Sequence, residues 1–414
     1  MMKAIVVIAD GMGDWPLKQL NGKTPVEAAD TPNLDWLAKH GICGIMDPLA
    51  PGVPPGSDVA HLSILGYNAK RVYSGRGALE AIGFGIDVVP GDVVFRCNFA
   101  TVDEDMKVID RRAGRISTKD ATELAKSLEK IYLHNHPEAQ ITFKNTVQHR
   151  AILRLRGSGL SMMVSGSDPH AVGRKVLKVH PLERTSEAEK TAKIVNEVLK
   201  EFHEVLKSHP LNEERKKKGL LPANIVLCRG AGVLPIINPF PLKFGIRAAA
   251  VAVMPLVRGV CKVAGMRLLS APGATGGYDT DVLAKAKAAV KSLETEDFIL
   301  IHVKATDLAS HDGKIDKKIE MIEKIDKMIG FLIENVNLEE TYIAVTADHT
   351  TSSVTGRHTG DPVPVAIVGP YVRVDDVEKY SERSCAKGGL GRIRGRDLMH
   401  TIANWLGKMR KFGA

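Results

Sequence analysis

Short apolar runs alternate with longer amphipathic segments along most of the chain. The apolar runs are rich in branched residues and end at polar or turn-forming residues, which is typical of buried strands. The predicted strands lie at residues 5–8, 223–227, 248–253, 298–303, 342–346 and 363–368. The predicted helices lie at residues 186–206, 279–293, 314–335 and 396–409. This alternation predicts an α/β fold with a mostly parallel sheet and helices on both faces.

Residues 108–181 show a different pattern. One helical segment near residues 119–131 precedes several strand-like segments, at residues 141–143, 149–155 and 161–164. We therefore predict a smaller α+β domain of residues 108–181, inserted into a discontinuous larger domain. The larger domain would consist of residues 1–107 and 182–414.

Composition places the chain among ordinary globular proteins. Its 414 residues, 44% hydrophobic and 25% charged, are enough for a large core with an insertion or for two domains. The formal charge of +9 suits an anionic ligand. Aromatic residues make up only 5% and the basic residues are spread along the chain, so the pattern does not favour nucleic-acid binding.

The five cysteines are far apart in sequence and form no C-x-x-C pair. This usage indicates reduced, mostly buried thiols and a cytoplasmic protein. The first apolar run is short and ends at Asp10, unlike a signal peptide, and no apolar run reaches membrane-spanning length. We therefore expect neither a membrane nor a nucleic-acid partner, while a homo-oligomer stays possible.

Candidate metal ligands follow several predicted strands, where open α/β sheets bind their ligands. They are Asp10, Asp307, His311, Asp348, His349 and His358. Each of these residues alone is more commonly a helix cap, a turn former or a buried histidine. Together they form the mixed oxygen and nitrogen set that suits Zn²⁺ or Mn²⁺. Two such ions can clamp the attacking and leaving oxygens of a phosphoryl transfer.

Ser57 is the candidate nucleophile. Gly56 permits a sharp turn before it, and the pattern is helical from Asp58 onwards. Ser57 therefore lies at a helix N-terminus, where N–H groups and the helix dipole favour a phosphate. A serine hydroxyl needs a base or a metal for activation. Taken alone, Ser57 is more simply an N-cap, and the accompanying Asp and His set changes that interpretation.

Five segments together resemble the alkaline phosphatase superfamily, and more narrowly the archaeal form of the cofactor-independent phosphoglycerate mutases. The matching segments are residues 9–14, 55–61, 303–313, 347–350 and 356–359. The resemblance implies an alkaline-phosphatase-like α/β fold and two divalent cations, Mn²⁺ or Zn²⁺ foremost, with Co²⁺ or Mg²⁺ also suitable. One cation would be held by Asp307, His311 and His358. The other would be held by Asp10, Asp348, His349 and the oxygen of Ser57.

The resemblance also implies the reaction, the interconversion of 3-phosphoglycerate and 2-phosphoglycerate in glycolysis and gluconeogenesis. Ser57 would take the phosphoryl group and return it to the other hydroxyl, without 2,3-bisphosphoglycerate. A mutase must retain the glycerate and exclude water meanwhile, so we expect anion-binding residues in the insertion. The candidates for substrate binding are Lys304, Asp168, His170, Arg111, Arg112, Arg115, Arg150 and Arg174. Asp168 is also a candidate acid or base for the glycerate hydroxyls.

Two alternatives remain open at this point. The first is another enzyme of the superfamily, such as a phosphopentomutase or a phosphomonoesterase, which would differ in the residues of the insertion. The second is a metal-holding binding or regulatory protein without turnover, against which an intact Ser57 argues. The loop Lys304-Ala-Thr departs from the longer bacterial enzymes, so substrate contacts cannot be carried over from them.

Overall fold

A computed structural model of the chain describes residues 2–129 and 131–413. The chain divides into two compact units, a larger one of Met1–Tyr73 with Ile236–Ala414 and a smaller one of Ser74–Pro235. The strands are β1 (Lys3–Ala9), β2 (Ile42–Asp47), β3 (Val93–Val102), β4 (Val108–Asp110), β5 (Gln140–Val147), β6 (Arg150–Arg156), β7 (Ile225–Gly232), β8 (Ala248–Val251), β9 (Arg267–Leu268), β10 (Phe298–Val303), β11 (Thr341–Thr346), β12 (Thr350–Ser352), β13 (Arg357–Thr359), β14 (Val363–Val368) and β15 (Gly391–Arg394).

The helices of the described residues connect these strands. They are α1 (Pro25–Ala28), α2 (Pro32–Lys39), α3 (Ser57–Ile64), α4 (Ala69–Val72), α5 (Arg76–Gly83), α6 (Thr118–Leu128), α7 (Ser186–Lys207), α8 (Pro210–Lys217), α9 (Phe240–Phe244), α10 (Pro255–Val263), α11 (Val282–Ser292), α12 (Ala305–His311), α13 (Ile315–Asn335), α14 (Glu382–Cys385) and α15 (Gly395–Trp405), with a short 3₁₀ helix at Lys18–Leu20. None of them is long and apolar enough to cross a membrane.

The larger unit is built on an eight-stranded sheet in the order β15-β2-β14-β11-β1-β10-β8-β9. Strand β14 pairs antiparallel with both of its neighbours, and every other pairing is parallel. Strands β10, β11 and β14 are buried along their whole length, as β1 is after its first residue. Strands buried on both faces need helices on both sides, so the predicted α/β class with a mostly parallel sheet is confirmed.

The smaller unit has an antiparallel sheet in the order β4-β3-β6-β5, with β7 also paired to β3. Its core joins Phe99 of β3 to Phe143 of β5, with ring centroids 5.6 Å apart, and Phe143 to Phe202 of α7, at 4.8 Å. Residues from well before and well after the predicted insertion therefore belong to one hydrophobic core.

The smaller unit, Ser74–Pro235, therefore extends beyond both ends of the predicted insertion of residues 108–181. Residues 225–227 of the predicted strand at 223–227 belong to β7, which pairs with β3 instead of joining the large sheet. The predicted helix at 186–206 is α7 of the same unit. A periodic pattern identifies an element but does not say which strand it will pair with.

Smaller differences concern single elements. Residues 161–164, expected as a strand, contribute only an isolated bridge between Val164 and Pro181. The helix expected near 119–131 begins one residue earlier and ends at Leu128, and Lys130 lies outside the described residues. All five cysteines are buried and unpaired, as the sequence predicts.

Lys318 of α13 should be important for the stability of the larger unit. Its fully buried ammonium lies 2.9 Å from Asp14 Oδ2 and 3.0 Å from the carbonyl oxygens of Gly13 and Thr351. Lys318→Met would leave the buried Asp14 carboxylate without its cation, so we expect a loss of about 3–5 kcal/mol in unfolding free energy. Urea denaturation followed by circular dichroism measures this loss. The neighbouring exposed Lys317→Met should change stability by no more than about 0.5 kcal/mol, and equal losses in both variants would contradict the prediction.

Candidate active site

The candidate site lies at the carboxyl edge of three adjacent parallel strands. Asp10 follows β1, the segment from Lys304 to Asp307 follows β10, and Asp348 with His349 follows β11. Because β1 pairs in parallel with both β10 and β11, these three chain segments leave the sheet side by side. The local fold therefore brings together residues that are more than 300 positions apart in sequence.

Ser57 is the first residue of α3, and the N-cap position is Gly56, in extended conformation. The simple alternative of Ser57 as an N-cap is therefore wrong. Its hydroxyl oxygen lies instead 3.2 Å from Nε2 of His349, and its side chain is nearly buried. The backbone of Gly56 has φ −81° and ψ 157°, which any residue can adopt, and a Cβ there would lie 2.6 Å from Asp58 Oδ1, so the Asp58 side chain would have to shift.

Nε2 of His349 is the centre of one group of ligand atoms. It lies 3.2 Å from Ser57 Oγ, 3.3 Å from Asp348 Oδ2 and 3.4 Å from Asp10 Oδ1. The Thr351 hydroxyl bonds both Asp307 Oδ1, at 2.7 Å, and His349 Nδ1, at 2.9 Å. A carboxylate can only accept, so this hydroxyl donates to Asp307 and accepts from the Nδ1–H of His349. The lone pair of His349 is therefore on Nε2, among the three oxygens.

Burial lowers the pKa of His349 to about 3, which keeps this ring neutral at physiological pH. A neutral imidazole whose Nε2 lone pair is directed at carboxylate oxygens is repelled by them unless a cation lies between. The donor atoms thus fit a divalent cation, and the Thr351 contact fixes the tautomer in the way that metal-binding histidines require.

Asp307 is the centre of the second group. Its Oδ2 lies 3.2 Å from Nε2 of His311 and its Oδ1 lies 3.5 Å from Nε2 of His358. The Nδ1 atoms of these histidines lie 2.7 Å from the Gly356 carbonyl and 2.8 Å from the Pro55 carbonyl. Each Nδ1 therefore donates a hydrogen bond, which leaves Nε2 available as a metal ligand.

Burial alone would raise the pKa of Asp307, but the hydrogen bond from His311 and the charge of Lys304 outweigh it and hold that pKa far below its usual range. The same hydrogen bond raises the pKa of His311. Either a proton or a metal ion therefore stabilises the contact between the two side chains.

Two trios of these residues have ligand atoms within 4.8 Å of one another: Asp307 with His311 and His358, and Asp10 with Asp307 and His349. The first trio is the set that the sequence motifs imply for one cation. The second trio contains Asp10 and His349 of the set implied for the other cation, and also Asp307, which was not in that set. The Thr351 hydroxyl connects Asp307 to His349. Asp348 reaches the same place through its contact with His349 Nε2.

Lys304 places an ammonium group among these carboxylates. Its Nζ lies 3.2 Å from both carboxylate oxygens of Asp10 and also contacts Asp307. Burial would lower the pKa of Lys304, but the charges of Asp10 and Asp307 raise it above its ordinary value. Lys304 is therefore a permanent cation of the site at neutral pH.

Two of the candidate substrate residues of the smaller unit, Arg111 and His170, meet at a third, Asp168, which is almost fully buried. Arg111 forms a fork on it, with Nε 3.0 Å from Oδ1 and Nη2 2.7 Å from Oδ2. The backbone N–H of His170 donates to Oδ1 at 2.9 Å. Burial would raise the pKa of Asp168, but the hydrogen bond and charge of Arg111 outweigh it and lower that pKa. Asp168 is thus a carboxylate at neutral pH and holds Arg111 in place.

Arg229 is a member of this cluster that sequence reasoning missed. Its Nη1 lies 2.9 Å from Asp168 Oδ2. The only signal for it is an arginine in a glycine-rich stretch at the end of a predicted strand, Leu227-Cys-Arg-Gly-Ala-Gly232. Such a signal is weak, because charged residues commonly follow strands.

The remaining predicted arginines divide into two groups. Burial is the main cause that lowers the pKa of His149 to about 4. The positive charges of Arg150 and Arg112, which lie nearby, lower this pKa further. The side chains of Arg115 and Arg174 make no hydrogen bond or ion pair with any residue that the structure describes. Arg112 and Arg150 therefore add positive charge near His149, and Arg111 and Arg229 add it at Asp168.

Sequence reasoning also missed two fully buried histidines of the larger unit. His302 Nε2 lies 2.8 Å from Asp10 Oδ2, and His61 Nδ1 lies 2.6 Å from the carbonyl oxygen of Ser57. His302 is inside an apolar strand and His61 inside a helix, so neither follows the pattern of a ligand at a strand end.

Comparison with known proteins gives consistent results. A family model described as 2,3-bisphosphoglycerate-independent phosphoglycerate mutase matches residues 38–212. A curated protein of that description from Methanocaldococcus jannaschii is 47% identical over 412 residues, covering 100% of this chain and 99% of its own. One from Thermococcus kodakarensis is 46% identical over 420 residues, with the same coverage.

Solved structures agree with these sequence relatives. A cofactor-independent phosphoglycerate mutase from Thermoplasma acidophilum superposes with a TM-score of 0.73 at 36% identity, covering 98% of this chain and 100% of its own. A protein from Pyrococcus horikoshii gives a TM-score of 0.88 at 39% identity, with 100% and 99% coverage. Since these archaeal relatives match from end to end, the chain belongs to the archaeal 2,3-bisphosphoglycerate-independent phosphoglycerate mutases, a family of enzymes.

Proposed function

We propose that this protein interconverts 3-phosphoglycerate and 2-phosphoglycerate through a phosphoserine intermediate on Ser57, with two divalent cations. Family membership supports the reaction. The observation that supports the role of Ser57 is the approach of its hydroxyl to Nε2 of His349, at 3.2 Å, at the N-terminus of α3. A hydroxyl at such a place has a cation-binding nitrogen beside it and a helix end that favours a phosphoryl group.

The residues that would hold the cations are Asp307, His311 and His358 for one, and Asp10, Asp348, His349 and Ser57 Oγ for the other. When bound, two divalent cations would promote loss of the serine proton and offset the negative charge of the transferring group. Oxygen and imidazole ligands in this ratio suit Mn²⁺ or Zn²⁺, and Co²⁺ or Mg²⁺ would also bind such a set.

The chemistry consists of two phosphoryl transfers. In the first, Ser57 Oγ forms a bond to phosphorus while the bond from phosphorus to the glycerate oxygen breaks, and the serine proton ends on that oxygen. In the second, the other glycerate hydroxyl forms the new bond to phosphorus and loses its proton, the bond from phosphorus to Ser57 Oγ breaks, and that proton ends on Ser57 Oγ. No phosphoryl group enters from outside, so 2,3-bisphosphoglycerate is not required. Lys304, the ammonium among the carboxylates, would bind the transferring phosphoryl oxygens.

Retention of glycerate distinguishes this reaction from that of a phosphomonoesterase. The Asp168 cluster is suited to the glycerate carboxylate. Among the described residues, Arg229 bonds Asp168 through Nη1, and no described group bonds its Nε and Nη2 edge, which could make a two-point contact. Asp168 already binds the guanidinium groups of Arg111 and Arg229, so we propose that its role is to orient these two side chains. As a carboxylate with a lowered pKa it could accept a proton at neutral pH but not donate one. The relatives favour this mutase over a phosphopentomutase or a protein without turnover.

Ser57→Ala should abolish the conversion of 3-phosphoglycerate, because the intermediate has no other acceptor. The assay couples 2-phosphoglycerate to enolase, without added 2,3-bisphosphoglycerate. Mass spectrometry of the quenched wild-type protein should show a phosphoryl group on Ser57. Ser63→Ala, on the same helix, is the matched control and should keep its activity. Substantial turnover by Ser57→Ala would exclude the covalent mechanism.

His311→Ala should lose one bound cation and the activity together, because only Asp307 and His358 would remain in that group. The measurement is metal content by plasma mass spectrometry after dialysis, alongside the coupled assay. Chelation of the wild-type enzyme should inactivate it, and added Mn²⁺ should restore it. The control is His400→Ala, which should retain both metal and activity. His400 lies on α15, where its Nδ1 is 2.6 Å from the Arg396 carbonyl. Full metal occupancy in His311→Ala would refute the assignment.

Arg229→Lys should raise KM for phosphoglycerate roughly ten- to a hundredfold, because a lysine cannot form the two-point contact with a carboxylate. Initial rates over a range of substrate concentrations measure this change, and kcat should change less. Arg156→Lys is the control, since Arg156 is also bonded to a buried carboxylate, Asp92, at 2.7 and 2.8 Å, but lies outside the cluster. An unchanged KM in Arg229→Lys would remove Arg229 from the substrate site.

A further inference from the structure

We infer that His302 is a positioning residue that holds the Asp10 carboxylate in the orientation needed for the second cation. This inference rests on the proposed function, because it concerns the proposed ligand Asp10. Among the described residues, the His302 ring forms its hydrogen bond with Asp10. Its proposed action is through Asp10 alone.

The hydrogen bond between the two residues has a defined direction. His302 Nε2 lies 2.8 Å from Asp10 Oδ2, and both side chains are buried. A carboxylate can only accept, so Nε2 carries the proton and donates. The other ring nitrogen, Nδ1, has no hydrogen-bond partner among the described residues. The side chain of His302 thus makes its hydrogen bond to Asp10 and to no other described group.

This bond gives the two oxygens of Asp10 different environments. Oδ2 accepts from His302, while Oδ1 lies 3.4 Å from Nε2 of His349 and so belongs to the group around the proposed cation. Lys304 Nζ approaches both oxygens equally, at 3.2 Å, so the hydrogen bond from His302 to Oδ2 is the contact that distinguishes them and restricts rotation of Oδ1 away from the ligand position. Hydrogen bonds to metal-binding carboxylates commonly have this orienting effect.

The ring of His302 is itself held by rigid surroundings. It projects from the fully buried strand β10, at the position paired with Ile8 of β1. Nζ of the buried Lys285 donates to the His302 carbonyl at 2.8 Å. The His61 ring packs against the His302 ring at 5.1 Å and 63°. Such support is what a residue needs if it is to fix the position of another.

The chemistry of the strand provides a second argument. The neighbours of His302 within β10 are apolar, and a buried imidazole with an unpartnered nitrogen is less favourable there than an apolar side chain. A purely structural position would be served better by leucine. The unfavourable burial of the imidazole is explained if the hydrogen bond from its Nε2–H is needed to orient Asp10.

The experiment measures cation binding by the full-length protein after chelator treatment, with Mn²⁺ as the probe. Electron paramagnetic resonance of unbound Mn²⁺ gives the number of sites and their dissociation constants. We expect His302→Leu to weaken one of the two sites about 10- to 100-fold, to leave the other unchanged and to keep or raise the melting temperature. His203→Leu, a partly buried histidine of α7 bonded to the Asn224 carbonyl at 2.8 Å, is the control and should bind Mn²⁺ normally.

Two polar variants separate positioning from packing. His302→Gln extends an amide N–H to about the position of Nε2 and should restore most of the affinity, whereas His302→Asn is too short to reach Asp10 and should not. Comparison of His302→Gln with His302→Asn tests whether His302 positions Asp10 even if His302→Leu does not fold. Wild-type affinity in His302→Leu or His302→Asn, or equal weakening of both sites together with a lower melting temperature, would overturn the inference. Absence of Mn²⁺ binding by the wild-type protein would instead overturn the proposed function.

Discussion

Three buried carboxylates at one edge of the sheet are the constraint on which the site depends. Asp10, Asp307 and Asp348 are each at most 1% exposed. Oxygens of Asp10 and Asp348 approach Nε2 of His349, and those of Asp307 approach Nε2 of His311 and His358. Charges so placed are unfavourable unless cations accompany them, and Lys304 supplies only one. Two divalent cations would more than neutralise the group. The excess positive charge would then be offset by a dianionic phosphoryl group, which makes the site selective for the charge that the reaction transfers.

The fold provides this arrangement through the parallel pairing of β1 with β10 and β11. Rigid, fully buried strands end at the site, and the ligands follow within a few residues. The histidine tautomers are set by contacts to Gly356, Pro55 and Thr351. Each of these contacts uses Nδ1, so all three rings direct Nε2 towards a carboxylate. Orientation of the ligands is therefore a property of the backbone and its neighbours as much as of the ligand residues themselves.

Much of the fold and of this site was predictable from the sequence, for a physical reason. Parallel strands are short apolar runs, and their carboxyl ends meet, so Asp10, Asp307 and Asp348 could be grouped without coordinates. The sequence did not reveal His302, because nothing in an apolar run distinguishes a histidine with a function from one that is merely buried. Nor did it reveal that 223–227 pairs with β3, since strand pairing depends on tertiary packing that local periodicity does not encode.

The Asp168 cluster differs electrostatically from the candidate cation site, because it brings together positively charged arginines and not carboxylates. Two arginines placed together to bind an anionic substrate, as proposed above for Arg111 and Arg229, would repel each other if they stood alone. A buried carboxylate between them removes much of that repulsion while using only part of each guanidinium, as the single Nη1 contact of Arg229 shows. The depressed pKa of Asp168 follows from this arrangement, and it keeps the carboxylate charged over the physiological range. A substrate carboxylate can then bind the remaining donors without first having to draw the arginines together, so the binding energy is not reduced by that rearrangement.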